Sequence, residues 1–288
     1  MCGVLFTNRV GVQEVAFKRA LAKLDHRGPD AQGTMRDGEY WLGHTRLSVV
    51  DLDSRSNQPF ISQCGRFALM FNGEIFNFRD LAAKHQIKLK TASDTELVVE
   101  LFAILGPKML DELNGMFAMV IVSLPAGEVF VARDRLGIKP LYVHEDSLGI
   151  TLSSEIAPIL ELIPAPDTDL VGLEQYRNLR MFAQGRTLYN GISMFPPATF
   201  SINGLRQRFW TLQDSELGPP SDQELFELIQ SVIDDHNSAA VEIGSYLSGG
   251  IDSAIIATLS KVKDTWSVGT LNSNEFLDAA RTATFLES

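Results

Sequence analysis

The sequence predicts an α+β domain followed by the opening of an α/β region, and three observations carry that prediction. Most of the first two thirds of the 288 residues divides into short apolar runs separated by Gly, Pro and Asp, the punctuation of a sheet-rich domain. A Pro219-Pro220 pair inside SELGPPSD (215–222) then interrupts the pattern. Beyond it the order becomes strand, loop, helix, strand, helix, as in a parallel sheet.

In chain order, GVLFTN (3–8) reads as a strand. VQEVAFKRALAKL (12–24) reads as an amphipathic helix with Val15, Leu21 and Leu24 on its apolar face. RFALMFNGEI (66–75) suits a strand running into a turn. SDTELVVELFAIL (93–105) suits a helix opened by a capping box, with Ser93 and Glu96 three apart. MFAMVIVSL (116–124), EVFVARD (128–134), PLYVHE (140–145) and ITLSSEI (150–156) follow as short strands, and ATFSINGLRQRFW (198–210) as a hairpin turning at Asn203-Gly204. A linker is expected at 213–222, between one domain over 1–212 and another over 223–288. QELFELIQSVIDDH (223–236) opens the second domain as a helix. VEIGSYL (241–247) reads as a strand of a parallel sheet buried on both faces. A loop SGGIDS (248–253), a helix AIIATLSKV (254–262), a strand TWSVGTL (265–271) and a helix NEFLDAARTATFLES (274–288) complete the chain.

Composition narrows the function. The chain is 45% hydrophobic and 21% charged, enough to bury a core. A net charge of −11 argues against nucleic acid as the main partner, since phosphates repel an acidic surface. No run approaches the ~20 apolar residues of a membrane span, and the apolar GVLF is too short for a signal peptide. The two cysteines, Cys2 and Cys64, are too few for a disulfide scaffold or a thiolate metal site, which points to the reducing cytoplasm.

The position of Cys2 raises two readings. It is a small buried residue starting a strand, or, with Met1 removed, a nucleophile carrying its own base in the α-amine. In SGGIDS, Gly249 and Gly250 let backbone approach a ligand, and Ser248 and Ser253 add hydroxyls just before a helix N-terminus. No lysine accompanies them, so this is not the lysine-bearing phosphate loop. A ligand-free turn is the alternative, but the full string favours a nucleotide site. Asp252 suits either Mg²⁺ or a helix cap.

Together with an initial Met-Cys-Gly, the segments HRGPD (26–30), HTRLSVVDL (44–52), FNGEIFN (71–77), ASDTE (92–96), RDRLGIKPLY (133–142), SSE (153–155) and LSGGIDS (247–253) resemble the glutamine-hydrolysing asparagine synthetase family, in order as well as content. The resemblance implies a four-layer αββα sandwich of the N-terminal-nucleophile type for the first domain. It implies the start of an ATP-pyrophosphatase synthetase domain for the second. Cys2 becomes the nucleophile, with Asn72 and Gly73 as oxyanion donors. Arg46 takes glutamine's α-carboxylate and Asp94 its α-ammonium, while Val50 and Glu74 line the same pocket. ATP falls to Leu247, Ser248, Gly249, Gly250, Asp252, Ser253 and Val268, with Mg²⁺ on Asp252. ATP and Mg²⁺ are then co-substrates and no prosthetic group is expected. His26 reads as structural and Cys64 as an inert thiol.

The implied reaction adenylates aspartate with ATP and amidates it with ammonia tunnelled from glutamine. Family members continue far beyond Ser288, through a second phosphate loop and a catalytic lysine. The chain is therefore expected to be a fragment, a naturally short form, or one completed by a partner chain or a second copy. A stand-alone glutaminase with a vestigial ATP domain and a non-catalytic glutamine- or ATP-binding protein remain as alternatives.

Overall fold

In a computed structural model of the chain, residues 1–213, 218–270 and 275–288 are described, and they divide into two compact units, Met1–Leu212 and Gln213–Ser288. The first unit contains, in order, β1 (Gly3–Thr7), α1 (Glu14–Ala22), β2 (Ala31–Asp37), β3 (Tyr40–Arg46), β4 (Phe60–Ile61), β5 (Phe67–Ile75), α2 (Phe78–Lys84) and α3 (Asp94–Leu105). It continues with β6 (Gly115–Ser123), β7 (Glu128–Arg133), β8 (Tyr142–Asp146), β9 (Gly149–Ser153), α4 (Ile156–Leu162), α5 (Leu170–Leu179), β10 (Ile192–Met194), β11 (Thr199–Ile202) and β12 (Leu205–Arg208). The strands form two antiparallel sheets, ordered β10-β8-β9-β1-β3-β2 and β12-β11-β7-β6-β5-β4.

Side-chain parity explains how the sheets stack. Successive strand residues point to opposite faces. In β1, Val4 and Phe6 enter one core with Leu42, Ala68, Met70, Val120 and Val131, which fills the space between the sheets. Leu5 points the other way and packs with Phe17, Leu21, Leu24 and Trp41 against α1. In β5, Leu69 and Phe71 leave the inter-sheet core and meet Leu97, Val98 and Leu101 of α3 and Leu81 of α2. The layers are thus helix, sheet, sheet, helix, the αββα sandwich expected from the motifs. The hairpin turn also forms as expected: Asn203 and Gly204 both have positive φ, 49° and 83°, the requirement of a tight primed turn.

Three local expectations are corrected. Val15 is 76% exposed, and Phe17 anchors α1 instead. Asn72, Gly73 and Glu74 are not a turn but the end of β5, paired with Ala118, Phe117 and Met116 of β6. A Cβ on Gly73 would come within 2.5 Å of the Met116 carbonyl, so glycine is what permits this pairing. Ser93 does cap α3, accepting from Thr95 N at 3.1 Å. Glu96, however, accepts from Lys90 N, Thr91 N and Thr91 Oγ1, which fix the preceding loop rather than closing a capping box.

The second unit holds α6 (Asp222–His236), β13 (Ser245–Tyr246), α7 (Ile251–Ser260), β14 (Thr265–Trp266) and α8 (Phe276–Leu286). Part of the expected linker (214–217), the end of TWSVGTL and the start of the last helix lie outside the described residues. Ser221 already caps α6 in a reciprocal box with Glu224. The strands pair in parallel, as expected. The apolar strand, however, shrinks to two residues and is not covered on both faces: Tyr246 is 75% exposed and Val241 41%. The only clustered core there among the described residues is Leu247, Ala257 and Ala279.

Candidate active site

A cavity of about 150 Å³ opens where the two sheets meet the N-terminus of α3. Every residue the motifs assigned to glutamine lines it: Cys2, Arg46, Val50, Asn72, Gly73, Glu74 and Asp94. Parity again explains the convergence. Cys2 precedes β1 in phase with Val4 and Phe6, and Asn72 follows Ala68 and Met70 in β5, so the two sheets present these residues from opposing layers.

Cys2 is half-buried, and its Sγ is bracketed by Leu47, accepting from the backbone N–H at 3.5 Å and facing the carbonyl at 3.7 Å. Burial pushes the thiol up from its ordinary value, opposed by the Leu47 hydrogen bond, the terminal amine and Arg46. The amine of Met1 is lowered, chiefly by burial. Asn72 is 1% exposed, and its Nδ2 has no hydrogen-bond partner among the described residues. A buried amide donor without a partner is costly. Its presence on the cavity wall marks a place where a ligand oxygen belongs.

Asp94 is the first residue of α3 and is buried. Burial raises its carboxyl to about 6, against hydrogen bonds from Ile75 N and Ser93 and with the help of Glu74. A buried acid with a raised pKa on a cavity wall is a candidate binding group. Arg46 is also buried, not a surface residue. Its Nη1 donates to the Asp53 carbonyl (2.9 Å) and Asn57 Oδ1 (2.8 Å), and its Nη2 to the Asp51 carbonyl. Those bonds hold the guanidinium in place and leave Nε and part of Nη2 of its five donors uncommitted by them.

Several further residues position the site, and of these only Gln58 lies outside the motif segments. Gln58 grips the Phe71 backbone from both sides, accepting from its N–H at 2.6 Å and donating to its carbonyl at 3.2 Å. His44, on the opposite sheet, donates Nε2–H to the same carbonyl at 3.0 Å. Burial lowers His44 to about 4, so it stays neutral. These bonds fix the peptide just before Asn72. Arg27 donates Nε–H to the Cys2 carbonyl at 2.9 Å. A proline-linked lysine, Lys139, completes the wall. His26 lies outside the cavity and bonds Glu155 at 2.9 Å, consistent with a structural role. Cys64 is also outside it. It is exposed, and hydrogen bonds from Ser62 and Arg66 lower its thiol to about 7.

In the second unit, a cavity of about 470 Å³ is lined by Leu247, Ser248, Ser253 and Val268 among others. Gly249, Gly250 and Asp252 do not line it. Helix α7 begins at Ile251, inside the motif, so Asp252 sits in its exposed first turn. The loop's donors are already engaged: Gly249 N–H donates to Glu275 Oε2 (2.8 Å), Gly250 N–H to Ser248 Oγ (3.1 Å) and Ser248 N–H to Ser253 Oγ (3.1 Å). The two serine hydroxyls bond each other at 2.9 Å, and Glu275 places a carboxylate on the loop. Among the described residues no group of three metal-ligating side chains surrounds Asp252. No described helix is long and apolar enough to cross a membrane.

Residues 1–210 match the family described as glutamine amidotransferase domain, and residues 224–288 match asparagine synthase. The chain is 29% identical over 269 residues to asparagine synthetase B (glutamine-hydrolysing) of Escherichia coli K12, covering 91% of this chain and 45% of that protein. It is 28% identical over 262 residues to asparagine synthetase (glutamine-hydrolysing) 1 of Bacillus subtilis 168, covering 86% and 41%. The chain thus spans less than half the length of these relatives. In fold it is similar to the glutamine phosphoribosylpyrophosphate amidotransferase of B. subtilis, with a TM-score of 0.55 at 18% identity, covering 93% of this chain and 66% of the other. The chain therefore belongs to the glutamine amidotransferase domain family over its first 210 residues, with a match to asparagine synthase over residues 224–288.

Proposed function

We propose that residues 1–212 hydrolyse glutamine to glutamate and ammonia, as the glutamine-hydrolysing portion of an asparagine synthetase. The observation that carries this is the unpartnered Asn72 amide on the same small cavity as the Cys2 thiol and the buried Asp94 carboxylate. With Met1 removed, the Cys2 thiol gives its proton to its own α-amine and attacks the amide carbon of glutamine. The C=O electron pair moves onto oxygen, where Asn72 Nδ2 and the Gly73 N–H stabilise it. The carbonyl re-forms, and ammonia leaves with the proton held by the amine. Water then hydrolyses the thioester and restores the thiol. Asp94 holds the substrate ammonium and Arg46 its carboxylate, while Val50 and Glu74 complete the pocket.

Residues 213–222 link this catalyst to the start of a synthetase domain over 223–288. In the complete reaction ATP transfers its adenylyl group to the side-chain carboxylate of aspartate, pyrophosphate leaves, and ammonia displaces the adenylate. Leu247, Ser248, Ser253 and Val268, which share one cavity, would take ATP with its Mg²⁺. Two free cysteines suit a reducing cytoplasm.

The test follows intact mass, glutamate, asparagine and pyrophosphate on one sample supplied with glutamine, aspartate, ATP and Mg²⁺. Glutamate is expected only from protein lacking Met1, and Cys2→Ala should abolish it. These 288 residues by themselves are expected to release no pyrophosphate. Full turnover in protein that retains Met1 would overturn the free-amine mechanism.

A further inference from the structure

The loop Arg133–Pro140 concentrates more buried charge than its length requires. Arg133 and Asp134 are 4% and 1% exposed, yet neither reaches solvent or substrate. Arg133 spends its guanidinium on three carbonyls of this region: Lys139 (2.7 Å), Phe195 (2.6 Å) and Gly137 (2.6 Å). The Asp134 carboxylate accepts from the N–H groups of Leu136 (3.1 Å), Ile138 (2.9 Å), Lys139 (3.0 Å) and Phe117 (3.2 Å). Gly137, with φ +68°, allows the turn. Lys139 is thus held through both its N–H and its carbonyl. Its side chain is buried, at 8% exposure for the residue, and lines the cavity beside Cys2, Met1 and Glu74. Among the described residues the ammonium makes no ion pair and no hydrogen bond. Buried lysines are rare unless paired, and this one has a fixed backbone and lines the same small cavity as Cys2.

We propose that Lys139 is a positioning residue for glutamine hydrolysis, its ammonium holding the thiol and amine of Cys2 in their reactive charge states. This rests on the glutaminase reading above. The charge acts twice. A neighbouring cation disfavours an ammonium, so the terminal amine is kept neutral and able to accept the thiol proton. The same cation favours the anion that forms on sulfur. The groups facing these atoms are consistent with it. With Met1 in place, Lys139 and Arg27 lower the Met1 amine against Cys2 and Asp30, while the thiol is acted on by that amine, Arg46 and Asp94. Lys139 itself is lowered first by burial, and is held charged by Glu74, Cys2 and Asp134 against Arg27.

The test is the pH dependence of Cys2 alkylation by iodoacetamide, read by mass, in a Cys64→Ala background. Lys139→Met keeps the apolar stem and removes the charge. Its alkylation midpoint, and the acid limb of kcat/KM for glutamine, should both move up by about one pH unit, and Lys139→Arg should restore most of the shift. Lys139→Gln is read in the same way, so that the result does not depend on one variant folding. An unchanged midpoint in a folded Met or Gln variant overturns the proposal, as does a shift that Arg fails to reverse. Alkylation needs no glutamine turnover. A parent protein without glutaminase activity but with the Lys139-dependent shift would therefore sink the functional reading and the role in hydrolysis, and leave standing only the charge coupling between Lys139 and Cys2.

Discussion

The two glycine-containing segments that the sequence marks as sites, FNGE in β5 and SGGIDS at the start of α7, differ in what their donors are doing. In the first, the Asn72 amide is buried and unsatisfied, and the peptide before it is clamped by Gln58 and His44. In the second, the Gly249, Gly250 and Ser248 N–H groups already have acceptors, one of them the Glu275 carboxylate. The surroundings differ in the same sense. The first site sits in a sandwich whose strands are covered on both faces, whereas the second rests on a core of Leu247, Ala257 and Ala279. A site whose donors wait for a ligand is preorganised, and one whose donors bond each other must first rearrange. The same motif strength in sequence thus conceals opposite degrees of readiness.

The contrast can be broken most sharply at Asn72. Asn72→Ala should lower kcat for glutamine by ~10²-fold or more with little change in KM, because the donor meets charge that appears only in the transition state. A raised KM with unchanged kcat would make Asn72 a ground-state contact. A smaller effect follows from Asp94. Its carboxyl, raised to about 6, must be ionised to hold the substrate ammonium. KM should therefore rise by up to about tenfold per unit as pH falls below 6, and Asp94→Asn should show a high KM that no longer varies between pH 5 and 7. Steady-state kinetics across that range decides the matter. The smallest effect is expected in the second unit. Glu275→Gln removes the charge at Gly249 N–H and should tighten ATP binding by less than about fivefold in titration calorimetry. No change would mean that the carboxylate does not compete with phosphate.

How much of this was legible in the sequence depends on how far each feature reaches along the chain. The order of strands, the hairpin at Asn203-Gly204 and the residues that share a cavity with Cys2 were readable, because turn chemistry, period-two patterning and contiguous motifs are local. What was missed is set by partners remote in sequence. Asn72–Glu74 look like a turn until β6 pairs with them. Glu96 looks like half of a capping box until the Lys90–Thr91 backbone claims it. Gln58 looks like an ordinary polar residue, and only the fold brings it to Phe71. VEIGSYL has the composition of a buried strand, but composition does not supply the neighbours that would bury it.

The neutral His44 and the uncomfortable Asp94 have a joint consequence for unfolding. His44 drops from 6.5 to about 4 on folding, so the folded chain binds fewer protons there than the unfolded chain, and stability is lost as pH falls through that interval. Asp94 rises from 3.8 to about 6, so the folded chain binds more, and stability is gained as pH falls through nearly the same interval. The two contributions have opposite sign and similar span. Between about pH 4 and 6 these two groups together take up almost no net proton on unfolding, so the acid sensitivity of the sandwich passes to its ion-paired carboxylates, such as Asp146, which Arg9 lowers to about 2.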